Sequence, residues 1–568
     1  MKNKKVRDSQ VPPMGIAIAI TLMISASSLL AQGPVDPGTR PVATTTRTSQ
    51  SPKFPTLPAF VRTVEPKDAF GADGAGNLLT GSGNQGRFWA DSISVFAATA
   101  TPPGTATNIT GLGPAFNGAG CQQCHSFPTV GGTSGPVNFQ ADPTFVHDQN
   151  AANPADLTAF IKSNGPVREV RFVVNRATGL PDGGVHELFS IQQRTDAPSG
   201  CQLPQPDFAA ELTANNAIFR IPTPVFGLGF FEAVQESALE DNLANEQTLA
   251  ASFTPPLGIA GHFNTSGNDG TITRFGWKAQ NKSLLLFSGE AANVELGVTN
   301  ELFPNEKAPG SNCINTQTTP DADGNLPMNM PEDRTIVLAA NDPVLNPATP
   351  PIIPAEVTAK IASDIENFAI FMRLNGAPGQ CAFNSTADHC FSLTDVGGPD
   401  GQTDADAVAS ILRGQALFGT IVPAPRPAPN TGIGCVLCHT DVLTTGPDFF
   451  PGLNVKAFRP FSDLALHEMD ATLADGVSQG AAAGDEFRTA PLWGAGQRIF
   501  FLHDGRCSDL LCAITGHSPN ANDLSSSCTA GSGEACQTIV NFNQLPDTTP
   551  TGTTTPSKQD LLNFLRSL

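Results

Sequence analysis

The sequence predicts a mainly α-helical chain of two related domains, the first expanded by long loop-rich insertions. Three observations carry that prediction. The pattern Cys-x-x-Cys-His occurs twice, once with Cys121, Cys124 and His125 and once with Cys435, Cys438 and His439. Apolar residues recur at helical spacing over 404–420 and again over 557–565. Gly (54) and Pro (49) are abundant, while charged residues make up 15% of the 568. That is well below the usual quarter, and it points to long ordered loops around modest helical cores.

Cys-x-x-Cys-His is the attachment motif of c-type haem. Two thiols form thioethers to the haem vinyl groups, and the adjacent imidazole takes one axial position on the iron. Positions i, i+3 and i+4 share a helix face, so a single turn presents all three groups together. A zinc knuckle would need two further ligands close by. No second Cys-x-x-Cys or His-x-x-x-His accompanies either motif. The sequence therefore predicts two covalently bound c-type haems, on Cys121, Cys124 and His125 and on Cys435, Cys438 and His439, with the two domains cytochrome c-like.

The elements follow in chain order. Residues 1–31 read as an export signal: Lys2, Lys4, Lys5 and Arg7 precede an apolar run from Met14 to Leu30, and Ala31 suits cleavage. The expected location is periplasmic or otherwise extracytoplasmic, with an uncleaved anchor as the alternative. Residues 32–57, rich in Pro, Thr and Ser, read as a flexible leader. Residues 58–400 form the expanded first domain, which includes a Pro-, Asn-, Asp- and Thr-rich surface excursion over 303–357. Residues 401–568 form the second. In it Ala407, Ile411, Ala416, Leu417 and Phe418 mark a first helix, and Leu561, Leu562 and Leu565 a last one, N-capped by Ser557 with Asp560 three residues on. Gly414 beside Phe418 would let the first helix approach Phe564 of the last.

An internal echo relates the halves. Arg220, Pro222, Phe226, Gly227 and Gly229 repeat the order of Arg488, Pro491, Trp493, Gly494 and Gly496, and each set follows its own Cys-x-x-Cys-His. The eight other cysteines suggest disulfides in an exported chain, with Cys381–Cys390 and pairs within the Cys507 to Cys536 cluster as candidates. The formal net charge of -20 disfavours nucleic acid as a partner. It would steer a basic electron carrier towards the chain. No His-Glu-x-x-His supports metalloprotease chemistry. The chain contains no Tyr, so no tyrosine can ligate an iron or hold a radical.

Several runs together resemble the bacterial di-haem oxidoreductase family. They are Gly113-Pro-Ala-Phe-Asn117, Arg220 to Glu232, Arg274-Phe-Gly-Trp-Lys278, Gly297 to Pro304, Ser462 to Met469 and Phe501-Leu-His-Asp-Gly-Arg506. The family is grouped with peroxidases, is sometimes labelled thiol oxidoreductase, and is similar in outline to bacterial di-haem cytochrome c peroxidases. The resemblance implies one iron open to peroxide and one with two protein ligands that relays electrons.

In the peroxidases a loop His is followed, fourteen residues on, by an axial Met. Here the loop residue is His503, and position 517 is a histidine. The resemblance thus implies His439 and His517 as the axial pair of the second haem, with His467 and Met469 as rivals. At the first haem His125 would be proximal, and Glu232 is the candidate acid/base, with a helix cap or salt bridge as its alternative. His186 and His262 are candidates to close that site; His147 and His389 have no motif context. Trp277 could relay electrons, and Arg220, Arg274 and Arg488 could pair with haem propionates. The expected activity is peroxidase-like electron relay. The alternatives are a plain electron-transfer cytochrome or an oxidase of a thiol or other small substrate. Expected partners are small redox carrier proteins or quinol-linked cytochromes, and a small-molecule substrate.

Overall fold

The computed structural model describes residues 33–36, most of 92–99, 112–148, most of 157–200, 201–300, 302–305, 312–313, most of 364–380, 404–421, 430–522 and 528–568, with short gaps. The expected export signal, most of the leader, and Cys381, Cys390 and His389 lie outside the described residues. Among those described, no helix is long and apolar enough to cross a membrane.

The expectation of a mainly α, cytochrome c-like chain is not met. Among the described residues, only Glu236–Ala251, Leu284–Leu296, Asp364–Leu374, Asp404–Phe418 and Lys558–Ser567 reach ten residues as α-helices. Between them run short strands in five small antiparallel sheets, four two-stranded and one three-stranded. The physical reason lies in the composition. Gly and Pro interrupt helices every few residues and favour tight turns, so extended segments pair locally instead. The Cys-x-x-Cys-His motifs are themselves brief: Cys121–Cys124 is one α-helical turn and Cys435–Leu437 a 3-10 turn. Each closes by a backbone bond from the histidine, His125 N to Cys121 O at 2.9 Å and His439 N to Cys435 O at 3.0 Å.

Two apolar cores support the two motifs. The first gathers Phe96, Phe116, Phe189, Phe231 and Phe371 around the first half, and also takes in Leu443, Phe458 and Trp493 from the second. The other joins Ile411, Phe418, Phe461 and Phe564 with Leu257 and Ile259. In this second core Asp404–Phe418 crosses Lys558–Ser567 at Gly414. A Cβ there would lie 2.0 Å from the Asp560 carbonyl oxygen, so only glycine permits the crossing. The Phe418 and Phe564 rings meet at 5.3 Å. The last helix starts with the expected capping box, Ser557 N donating to Asp560 at 2.9 Å and Asp560 N to the Ser557 hydroxyl at 3.3 Å.

The sequence echo has a structural counterpart. Strands Ala217–Arg220 and Glu486–Arg488 each lead through a proline-containing loop to a left-handed glycine, Gly227 (φ 68°) and Gly494 (φ 72°). Each glycine caps a short helix, Leu228–Glu232 and Ala495–Gln497. Both strands end in a buried arginine beside a cavity lined by a Cys-x-x-Cys-His motif.

Residues 33–36 do not hang free. Val35 exchanges two backbone bonds with the Gln559 amide, both 2.7 Å. The Asp36 carboxylate grips Arg566 through two bonds of 2.6 Å and accepts from Leu510 N, also at 2.6 Å. Part of the segment read as a flexible leader is thus fastened to the last helix. Of the expected disulfides, Cys507–Cys512 and Cys528–Cys536 form within the predicted cluster, and Cys201–Cys313 adds a long-range link.

Candidate functional site

Each Cys-x-x-Cys-His opens onto its own cavity. The first cavity is lined by Cys121, Cys124 and His125 on one side, and by Ser288, Ala291 and Glu295 of the Leu284–Leu296 helix. The His125 Nδ1 is hydrogen-bonded to the Gly132 carbonyl at 3.1 Å, and the ring also meets the Thr223 backbone. Burial pulls the His125 pKa down to about 4, so the imidazole is neutral at physiological pH. His125 is the only imidazole among the described residues lining this cavity, and Met372 the only thioether.

The three-stranded sheet supplies the polar wall. Glu169 and Arg171 are two residues apart on strand Glu169–Phe172, so they share a face, while Val170 and Phe172 turn into the core. Glu169 pairs across the ladder with Arg220. The Arg171 Nε donates to Glu169 at 2.7 Å. Arg220 also lines the cavity, but its guanidinium is held by Asp475 at 2.7 and 3.0 Å and by Gln479 at 2.6 Å.

The second cavity is lined by Cys435, Cys438, His439 and His517 within an apolar wall that includes Phe418, Phe501 and Phe542. Helix Leu510–Gly516 delivers His517 at its C-terminal end. The Asp509 side chain caps the helix start by accepting from Cys512 N at 2.7 Å, and the Cys507–Cys512 disulfide closes the loop before it. The His439 Nδ1 is hydrogen-bonded to the Phe461 carbonyl at 2.9 Å and the His517 Nδ1 to the Ala513 carbonyl at 2.7 Å. Both rings therefore have Nε2 available. Burial lowers both pKa values, that of His439 to about 4.

The two ring centres are 6.4 Å apart, at 71° to one another. A metal–imidazole bond is about 2.0–2.1 Å, and a ring nitrogen lies about 1.2 Å from its own ring centre, so two imidazoles on opposite sides of one ion stand roughly 6.4 Å apart. His467 is placed differently. It is buried between Asp463 at 2.8 Å and Glu534 at 2.7 Å, with both nitrogens occupied. Met469 lines the cavity as well.

A family described as "Di-haem oxidoreductase, putative peroxidase" matches residues 174–411 and 429–538, more than half of the chain. The chain belongs to the di-haem oxidoreductase family. No curated protein and no solved structure matches it significantly. Membership of a di-haem family implies two haems, and the two cavities of this di-haem oxidoreductase fit that group. Each brings a Cys-x-x-Cys-His to an apolar pocket with Nδ1 of the histidine fixed by a carbonyl. In the second, Thr538 Oγ1 is buried without a partner. Arg488 and Arg498 also line the second cavity, and the hydrogen bonds described for both go to backbone carbonyls, as suits cations awaiting a propionate.

The other sequence candidates fall into place around these cavities. His503 lines the second, stacked on Phe487 at 4.4 Å, and its carbonyl accepts from Ile221 N at 2.8 Å. Trp277 lines both cavities, its indole N–H donating to the Ile221 carbonyl at 2.9 Å. Glu232 lies outside the first cavity, contrary to the acid/base expectation. Its carboxylate pairs with Arg373 at 2.6 Å and accepts from Leu284 N at 2.9 Å, the salt-bridge and helix-capping alternative.

Arg274 is likewise outside, bonded to the Phe231 and Glu232 carbonyls. His186 contacts Asp182 at 3.3 Å and stacks on Phe172, and His262 contacts Glu486 at 2.8 Å, so neither reaches the first cavity. Glu169, Glu295, Met372 and Arg498 were not singled out from sequence. Glu295 lies two residues before the run that begins at Gly297. The others carry no local signal.

Proposed function

We propose that this chain is an exported c-type di-haem oxidoreductase that reduces a hydroperoxide at its first haem, with electrons relayed through its second. One observation carries the reading: the His439 and His517 rings stand 6.4 Å apart in the second cavity, whereas His125 is the only imidazole among the described residues lining the first. Six-coordinate iron exchanges electrons without binding substrate, and an iron with one protein ligand has a position for it.

When bound, each haem supplies one-electron chemistry, and the first supplies a site that polarises a peroxide. The residues of the chain do the rest. Cys121 and Cys124, and Cys435 and Cys438, anchor the two groups as thioethers. His125 binds from one side of the first, and His439 with His517 brackets the second. Arg488 and Arg498 hold acidic substituents of the second group. Trp277, which lines both cavities, gives electrons an aromatic path between them. The acidic surface favours small basic redox carriers as donors.

The rival reading is a carrier with both irons six-coordinate, and Met372 is the residue that would close the first. The test is the spin state of each haem in purified holoprotein, oxidised and half-reduced. A high-spin iron that binds cyanide and reacts with peroxide is expected. Two low-spin irons in every redox state, converted to one high-spin iron by Met372→Leu, would establish the carrier.

A further inference from the structure

The wall of the second cavity is fastened from outside by residues 33–36. Arg566 ties the last helix to the turn Ala495–Gln497, its Nη1 donating to the Ala495 carbonyl at 3.3 Å and to the Arg498 carbonyl at 2.8 Å. Its Nε and Nη2 donate to the Asp36 carboxylate at 2.6 Å each. The same carboxylate accepts from Leu510 N at 2.6 Å, at the start of the helix that carries His517. Leu510, Leu565, Ala495 and Arg498 all line the cavity. One carboxylate thus joins three pieces of its wall.

Helix Leu510–Gly516 has seven residues, too few to hold a helix in water without support from neighbours. The His517 Nδ1 is hydrogen-bonded to the Ala513 carbonyl at 2.7 Å, so the ring travels with that helix. Polar contacts, more than apolar burial, hold the strap. The Val35 side chain is 47% exposed, and its backbone is bonded to the Gln559 amide. The ion pair beneath is buried, with the Arg566 side chain 2% and the Asp36 side chain 8% exposed, so losing Asp36 strands a cation. Placement separates this strap from a general brace, because Asp36 meets the backbone of the helix that ends at His517.

We propose that Val35 and Asp36 form a latch on the sixth position of the second haem. Engaged, the latch pins Leu510–Gly516 to Arg566 and keeps His517 in its axial place. Released, it lets the helix carry His517 away and opens that position to small ligands, so the relay centre becomes a binding centre. The proposal rests on the reading of His439 and His517 as the axial pair.

The test is cyanide binding to haem-loaded, full-length protein by stopped flow, with each haem followed by its own spectrum. Asp36→Ala should raise the association rate at the second haem about 10-fold or more, by freeing the helix to open locally, and leave the first haem's rate unchanged. Gln559→Ala removes the bonds to Val35 and spares the ion pair, and it should raise the rate by less. Hydrogen exchange at residues 513–516 reads the helix without reference to the iron, and it should quicken in both variants. Cyanide rates within about twofold of wild type in both variants, even with a lowered Tm, would overturn the latch. The axial reading has its own test: His517→Ala that leaves the second haem low-spin would overturn that reading and the latch with it, whereas His517→Ala that turns it high-spin confines any failure to the latch.

Discussion

The two cavities start from the same five-residue pattern and end with opposite surroundings. Around His439 the chain closes in. A capped helix, bracketed by a disulfide and fastened from outside by Asp36, brings His517 to the far side. Around His125 the corresponding wall is a helix that offers Ala291, Ser288 and Glu295, with charged groups from a small sheet beside it. A motif fixes how a cofactor is attached. The fold decides what else lines each cavity, and here the second carries His517 and the first carries Glu169 and Glu295.

That contrast can be broken in several ways. The largest effect should come from Cys121→Ser with Cys124→Ser, which should lose the first haem, and all peroxide turnover with it, while the second keeps its low-spin spectrum. Haem content and optical spectra read this directly, and loss of both haems would show that the two centres do not load independently. Next in size is His517→Ala. It should turn the second haem high-spin and give cyanide a second binding position, making the centres alike; an unchanged low-spin spectrum would remove His517 from the axial pair.

Asp36→Ala should act on the second centre from a distance. It strands the buried Arg566 and uncaps Leu510 N, at a cost of about 3 kcal/mol in stability. Thermal unfolding followed at the second haem should report it, and an unchanged Tm would mean that the strap is incidental. The smallest effect is expected for Glu232→Gln. Weakening the cap on Leu284 N and the partly exposed pair with Arg373 should cost about 1 kcal/mol. The peroxide rate should stay within threefold of wild type. A 100-fold loss would return Glu232 to the acid/base role the sequence suggested and remove it from the cap.

How much was legible beforehand varies with the range of the interaction. The last helix could be read whole, since Ser557, Asp560 and the leucine stripe are local signals. So could the crossing at Gly414, because a glycine beside aromatics at both chain positions suggests close approach. The overall class was misjudged as mainly α. Helical spacing stands out in a sequence, whereas two-residue strands pairing across distant loops, such as Ala115 with Ser190, leave almost no periodic trace. For Glu232 the sequence offered two roles, acid/base or helix cap and salt bridge, and its carboxylate meets Leu284 N and Arg373.

The sequence by itself determined the two Cys-x-x-Cys-His motifs, the cysteine cluster that forms disulfides, the echo of arginine, proline, aromatic and glycine, and the family. Each is written in contiguous residues whose chemistry requires that spacing. Only the tertiary structure decided what faces each anchor. It set the His517 ring centre 6.4 Å from that of His439, put Trp277 on the wall of both cavities, and brought Glu169 and Glu295 to the lining of one cavity. Those partners meet because separate elements pack on shared cores, and packing joins residues that no local pattern connects.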